Sequence, residues 1–521
     1  MEKKELFIQK IQSSYNTVNP HIYLGAGLLD GEIIKEAQVN IPLKMMNRHG
    51  LIAGATGTGK TRTLQVLAEQ LSDAGVPVFM LDVKGDLSGL NKEGIVNPKL
   101  TERAQNLGFD YKPASFPIEL YSLTGKLGAQ MRATVMEFGP VMLGKILDLN
   151  ETQTGVLAVL FKYADDKKMG LVGLEDLKKM LSYLSEGDGA KEIKDSYGTI
   201  STSTSGTILR KIVAIEQQGL SQIFGETSFD IEDLFSKIDG KGVISLLNIS
   251  DVQQQPTLFS TFLLSLLAEI YQAMPEAGDL DKPKLVFFFD EAHLLFNNAP
   301  KAFLEQIEQI VRLIRSKGIG VFFCTQTAQD IPDSVLAQLG NRVQHALRAF
   351  TPNDAEALRK TVKTYPRSEF YEIDKVLTSL GTGQALITVL NEKGIPTEVS
   401  ATHLTPPRAI MGPMLISEAE SLINSSAMSK KYKETIDPES AYEILNERIN
   451  KKMAEQEELA AKQLEEKVEA DEARKPVGKS MVEKVLTSAT TRQIGKEIVR
   501  GLFGMLLGKT PRKTKSGGFF S

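Results

Sequence analysis

At 521 residues the chain exceeds one ordinary domain, and its composition, 42% hydrophobic and 24% charged, is that of a globular protein. A net charge of −4, from 61 basic and 65 acidic side chains, excludes a surface that is basic throughout and leaves room only for a local basic channel. Cys324 is the only cysteine, which excludes an intrachain disulfide, and no Cys/His set has zinc spacing.

Met1-Glu2-Lys3-Lys4-Glu5 lacks the apolar core of a signal peptide. The longest apolar helix candidate, Leu258 to Ala268, is too short to span a bilayer. A cytoplasmic location is therefore expected. Residues 1–48 read as lead-in strands, at Ile22-Tyr23-Leu24-Gly25 and Val39-Asn40-Ile41-Pro42-Leu43.

A strand–loop–helix pattern opens at His49. Leu51-Ile52-Ala53 reads as a buried strand and Thr63 to Leu71 as a helix. Between them, Gly54-Ala55-Thr56-Gly57-Thr58-Gly59-Lys60-Thr61 fits G-x-x-x-x-G-K-[ST]. Glycines let the backbone wrap closely around phosphate oxygens, and the new helix points its N–H groups at them. Lys60 would neutralise β- and γ-phosphate charge, and the Thr61 hydroxyl would ligate magnesium. The expected cofactors are ATP and Mg2+, with Gly54, Ala55, Thr56, Gly57, Thr58, Gly59, Lys60, Thr61 and Arg62 as the nucleotide contacts.

Val76 to Leu81 is a continuous apolar run, as a parallel strand buried on both faces should be. It ends in Asp82-Val83-Lys84-Gly85-Asp86, at the carboxyl end of a strand, where ligand sites of α/β sheets gather. Beyond residue 96 the alternation stops, and residues 96–238 are expected to form a mostly helical insert. Ala133 to Leu149 and Leu174 to Leu184 are helix candidates in it, and Ser201-Thr202-Ser203-Thr204-Ser205-Gly206 is a loop or helix start.

Alternation resumes with the strand Gly242 to Leu247 and the helix Leu258 to Tyr271. The strand Lys284 to Phe289 then runs into Asp290-Glu291-Ala292-His293. After the helix Phe303 to Ser316 comes a strand, Gly320 to Cys324, ending in Thr325-Gln326-Thr327. Arg342 to Ala349 and Gln384 to Leu390 are further strands. The core is thus expected in two pieces, 49–95 and 239–410. Residues 411–521 read as a helical tail, charged over 437–473 with Glu447/Lys451 and Glu458/Lys462 one turn apart. After Pro476 it turns basic and amphipathic, with Arg492, Lys496 and Arg500 flanking apolar residues. Such a stretch could touch a membrane, a protein or nucleic acid, or pack on its own chain.

The run Val286-Phe287-Phe288-Phe289 places Asp290 at a buried strand's end, where it can hold magnesium opposite Thr61. Glu291 can polarise the attacking water. Two adjacent carboxylates with separate tasks suffice, because phosphoryl transfer needs positioning and charge neutralisation more than covalent chemistry. A strand between the loop and the Asp290 strand indicates the additional-strand class of P-loop ATPases. Gln326 would then face the γ-phosphate.

His49 to Thr61, Asp82 to Asp86, Phe287 to His293 and Cys324-Thr325-Gln326 together resemble the HerA/FtsK superfamily of hexameric translocating ATPases. Thr134 to Pro140, Glu216 to Gly219 and Arg500 to Gly504 are similar to a bacterial HerA-like branch of it. The resemblance implies a RecA-like α/β core, a homohexameric ring, DNA as the substrate and an arginine that completes a neighbour's site. Arg342 is the first choice for that arginine, with Arg315, Arg312 and Arg348 behind it. An N-terminal β-barrel, FtsK-type membrane spans and a winged helix are not apparent, so nuclease docking and septal DNA pumping are not carried over. The competing expectations are a motor or switch acting on a protein or membrane through the insert and tail, and a P-loop scaffold with weak hydrolysis.

Overall fold

The computed structural model describes residues 3–297 and 301–472, so the basic stretch after Pro476, with Arg492, Lys496 and Arg500, lies outside the described residues. By internal contacts the chain divides into one unit of residues 1–148 and 219–437 and a second of residues 149–218 and 438–521.

The first unit is organised by a twelve-stranded sheet. In chain order its strands are β1 (His21–Leu29), β2 (Glu32–Pro42), β3 (Gly50–Ala53), β4 (Val78–Asp82), β5 (Ile118–Ser122) and β6 (Ala129–Gln130). They continue with β7 (Ile244–Asn248), β8 (Leu285–Phe289), β9 (Ile319–Thr325), β10 (Asn341–His345), β11 (Gln384–Thr388) and β12 (Ser400–Leu404). Across the sheet the order is β2-β1-β12-β11-β10-β3-β9-β8-β4-β7-β5-β6. From β10 to β6 every neighbour is parallel, and from β10 to β2 every neighbour is antiparallel.

Continuous apolar runs explain the parallel half. β3, β4, β8 and β9 are buried at every position, because helices cover both faces. Aromatic rings knit the central strands, with Phe288 against Phe322 at 5.2 Å and Phe289 against Phe323 at 5.7 Å between centroids. β9 lies between β3 and β8, with Thr325 opposite Ala53 and Phe323 opposite Phe289. This is the expected additional strand, and the fold is the RecA-like P-loop ATPase core.

Three local readings change. The stretch 96–148 is not wholly helical: Ile118-Glu119-Leu120-Tyr121-Ser122 and Ala129-Gln130 prolong the sheet beyond β7. Glu119 interrupts the apolar run that would have marked a strand, and it is accommodated by accepting the Ser426 hydroxyl at 2.5 Å. The candidate helix Ala133 to Leu149 is Val135–Ile146, capped by Thr134 and broken at Gly139 (φ 68°, ψ 168°). The break falls there because Pro140 has no N–H to give the preceding turn. Finally, β10 stops at His345, where the chain leaves the sheet to serve the loop after β3.

The second unit contains the helices Glu151–Asp166, Leu174–Ser185, Gly187–Lys194, Thr202–Gln217 and Ala441–Glu472. Leu160, Leu177, Leu181, Ile208 and Ile212 form its interior. Ser201 accepts the Thr204 N–H at 3.1 Å, so the Ser/Thr run is a helix start. Asp176 accepts the Val172, Gly173 and Tyr442 N–H groups, each at 2.8–2.9 Å, and thereby fixes the entry of the last helix. On that helix Glu458 and Lys462 pair at 2.7 Å. Among the described residues no helix is long and apolar enough to cross a membrane.

Candidate functional site

The loop after β3 is slung between two neighbouring strands. Gly54 N–H donates to the Thr325 carbonyl at 3.2 Å, and Ala55 N–H to the Ala346 carbonyl at 2.9 Å. Gly54, Gly57 and Gly59 all have positive φ, and a Cβ on Gly54 would lie 2.5 Å from that of His345. Thr58 closes the turn by donating its hydroxyl to the Ala55 carbonyl at 2.7 Å, while Thr56 and Gly57 form the exposed tip. The following helix, Lys60–Asp73, has Gly59 as N-cap with no side-chain hydrogen bond and no acidic residue in its first turn. Its leading N–H groups therefore remain an anion-attracting end.

Lys60 Nζ folds over this loop, donating to the Gly54 carbonyl at 2.6 Å and the Ala55 carbonyl at 3.2 Å. Thr61 stands beside it at the second helical position. Arg62 donates to Gln65 Oε1 at 3.1 Å. Burial pushes its guanidinium below the usual range, against the pull of Asp86.

His345 lies under the loop, its Nε2 2.9 Å from the Thr63 hydroxyl. Burial and then the Lys60 charge push it down to about 4, so it is neutral. The unfolded chain, with an ordinary histidine near 6.5, binds the extra proton between those two values, so stability falls as pH falls through that window. Acidification from pH 7 to 5 should cost wild type up to about 2 kcal/mol more than His345→Gln, read from urea midpoints. Glu69 and Asp82, pushed up by burial to about 7 and about 6, act with the opposite sign. They are present in both proteins and cancel in the difference.

The acidic side is built by β8. Asp290 is buried and accepts the Glu291 N–H at 2.9 Å. Burial pushes its carboxyl up, while the neighbouring Cys324 thiol opposes the shift by hydrogen bonding. Glu291 takes left-handed backbone (φ 49°), which costs a side-chain-bearing residue about 1 kcal/mol or more. The turn is secured by Ala292 N–H donating to the Cys324 carbonyl at 2.8 Å. Glu291 Oε1 meets Lys84 Nζ at 3.3 Å. Its Oε2 lies 3.4 Å from His293 Nδ1 but is buried without a hydrogen-bond partner.

Beside it, Asp82 ends β4 by accepting the Gly85, Asp86 and Leu87 N–H groups at 2.7, 3.1 and 3.1 Å. That turn carries Lys84 to Glu291. Gln326 follows the buried Thr325 and is exposed, next to the start of the loop. Residues 54–62, Gln326, Asp290 and Glu291 thus share the carboxyl rim of β3, β9 and β8. Arg342 is not on this rim. It pairs with Leu51 in the strand, three residues short of the loop, and directs its guanidinium to the Leu336 and Leu339 carbonyls, both at 3.4 Å. Arg348 donates to the Thr378 carbonyl at 2.9 Å, and Arg312 and Arg315 are exposed.

Three contributors escaped the sequence reading. Lys84 sits inside the quoted Asp82–Asp86 run, and its charge beside a strand end was the available signal. His345 had none, because it ends a strand that meets Thr63, just after the loop, from a distance of 282 residues in sequence. Gly383 N–H donates to the Thr58 carbonyl at 3.1 Å, and Arg103 caps the Gly383 carbonyl, which no local pattern encodes.

Among the described residues no group of three or more His, Cys, Asp or Glu side chains could hold a metal ion. One carboxylate and one hydroxyl, Asp290 and Thr61, are nevertheless a donor set that suits Mg2+, which keeps most of its shell as water and phosphate oxygen. The uncapped helix end and a loop whose glycines all have positive φ, with no room for a Cβ at Gly54, suit the phosphates of a nucleotide.

The chain is also similar to known proteins. The family model described as helicase HerA-like C-terminal matches residues 29–512. The DNA double-strand break repair helicase HerA of Sulfolobus acidocaldarius is 22% identical over 68% of this chain and 66% of its own. The DNA import protein CedB of the same organism is 25% identical over 74% of this chain and 57% of its own. The match therefore spans 66% and 57% of the length of these two curated relatives. Among solved structures, the plasmid coupling protein TrwB in complex with a non-hydrolysable GTP analogue superposes with a TM-score of 0.50 at 13% identity. That match covers 76% of this chain and 98% of the other.

Proposed function

The chain belongs to the helicase HerA-like C-terminal family, and from that premise we propose that it is an ATP-hydrolysing, ring-forming motor that acts on DNA. The observation that carries the reading is the uncapped helix end behind Gly54–Gly59, with Asp290 and Glu291 on the same rim. When bound, Mg2+ neutralises and orients the phosphates. Thr61 and Asp290 are the residues that would hold it.

Lys60, now donating to its own loop, exchanges the Gly54 and Ala55 carbonyls for phosphate oxygens. Glu291 accepts a proton from the attacking water at Oε2, the oxygen without a partner, while Lys84 steadies Oε1. Gln326, exposed beside the loop, can donate its amide to the γ-phosphate or to the water, and its response to hydrolysis moves the segment after β9. DNA is the proposed track because the HerA and CedB relatives are a DNA repair helicase and a DNA import protein by name.

ATP turnover measured with and without DNA, RNA and liposomes tests the reading. DNA should stimulate it, and the stimulation should fall steeply with salt through counterion release. Hydrolysis stimulated by liposomes or a protein partner but never by DNA would replace this reading with a motor on those partners.

The ring follows from the arginine question. The arginine nearest the loop in sequence, Arg62, is engaged with Gln65, so a charge for the leaving phosphates is proposed to come from a neighbour. Arg342→Ala should spare ATP binding and lower turnover by roughly 10³-fold, as removal of arginine fingers does. Mixing it with Lys60→Ala protein should restore part of the activity if the arginine acts across subunits. A strictly monomeric protein with full turnover would sink both the ring and the finger.

A further inference from the structure

A second basic recess lies on the same carboxyl rim, at the far edge of the sheet. β6 is six strands from β3, or about 29 Å at ~4.8 Å per strand. Gln130 ends β6, and just beyond it Arg132 is buried, only 5% exposed. Its guanidinium donates to the Tyr432 carbonyl at 3.0 Å and to Gln130 Oε1 at 2.6 Å. Both of its described partners are neutral, and burial alone acts on its pKa, pushing it down.

A buried cation without a counter-charge is costly unless something supplies one. Around it is a cavity of about 430 Å³ whose lining includes Lys430, Lys433 and Ser429 and contains no acidic residue. The Ser429 hydroxyl is buried with no hydrogen-bond partner. Two acids bonded to residues of the lining or next to them are already engaged, Asp233 by Lys431 at 2.8 Å and by the Tyr432 hydroxyl, and Asp251 by the Thr124 hydroxyl. The lining also takes in Thr124, Gly125 and Gly128 of the turn after β5, of which Gly125 is exposed and Gly128 is buried against the Leu120 backbone.

We propose that this recess is a phosphate-binding site, separate from the nucleotide loop, in which Arg132, Ser429, Lys430 and Lys433 receive a phosphate group. A guanidinium fork, a hydroxyl and two ammonium groups around a cavity with no carboxylate in its lining match the charge and hydrogen-bond capacity of that anion. The group can arrive as the backbone phosphate of a nucleic-acid strand or as a free phosphate ion. The site does not depend on the motor reading, which stands or falls on the ATP turnover of the unaltered chain.

The test uses full-length Lys60→Ala protein, so that the nucleotide loop no longer competes. Inorganic phosphate, compared with chloride at equal ionic strength, should raise its melting temperature. Adding Lys430→Gln and Lys433→Gln, both exposed, should remove that rise. Arg132→Lys, which keeps the charge but loses the fork, should weaken it. In a second arm, duplex DNA binding is followed against salt. A strand phosphate as occupant predicts that the two lysine changes reduce the slope of log K on log salt by about 2. An unaltered slope together with lost phosphate stabilisation identifies the free ion. If phosphate gives no stabilisation and the DNA slope is also unaltered, the proposal is overturned.

Discussion

Replacing Glu291 by glutamine should leave ATP bound and cut its turnover by about 10³-fold. The amide keeps the shape and can still meet the segment around Lys84, but it has no proton affinity to offer an attacking water. Asp290, which would hold the metal, is untouched, and its carboxylate keeps the Glu291 N–H. The strained backbone at position 291 is the reason to expect a catalytic rather than a structural loss. Left-handed geometry there is maintained against its own cost and aims Oε2 into a buried spot where nothing bonds to it. Lys84 is more than half exposed, so losing its ion pair with Glu291 should move the melting temperature little. Phosphate-release kinetics beside a fluorescent-nucleotide titration separate the two effects. Near-wild-type turnover would remove Glu291 from its assigned role.

Lys60→Ala should be more severe, with affinity and turnover failing together. The ammonium is the one side-chain charge over the loop, and nothing else among residues 54–61 can neutralise phosphate. Losing a charge-assisted contact of this kind costs roughly 10²–10³-fold in rate, and loss of ground-state binding adds to it. The carbonyls of Gly54 and Ala55 would lose a donor but can turn to water, so the fold should survive with unchanged circular dichroism. Nucleotide affinity within about twofold of wild type would show that Lys60 stays on its own loop when nucleotide is present.

The central strands and both edges of the nucleotide site were legible because their signals are local. Four- to seven-residue apolar runs end in glycine, in Asp290-Glu291 or in Thr325-Gln326, and each such ending is a strand meeting the rim. The margins were not legible. β5 carries Glu119 in its middle and β6 has two residues, too few for a periodicity. Pro140 marked the break in the Val135–Ile146 helix, but a long apolar-rich pattern outweighed it. The partners of the loop, His345 and Gly383, become neighbours only through β10 and β11, and a contact made by topology leaves no trace in a window of sequence. Lys84 is the intermediate case, visible in the run yet given a role only by the turn that Asp82 imposes.

The pairing of β1 with β12 has a bearing on how the chain must be made. Gly25 stands opposite Leu404, so a strand synthesised among the first has no inner neighbour until almost four hundred residues have followed. At 5–20 residues per second the wait is roughly 20–75 s, far longer than a helix or hairpin needs to form. During it, the β1–β2 ribbon presents an unpaired edge to its surroundings while β3, β4 and β7 wait for β8 and β9 to be inserted between and beside them. Folding is therefore dominated by distant pairings, which slow it and leave apolar edges open to other chains. A nascent chain stopped before residue 400 should be held by chaperones or lost to aggregation, whereas release after β12 lets the sheet close.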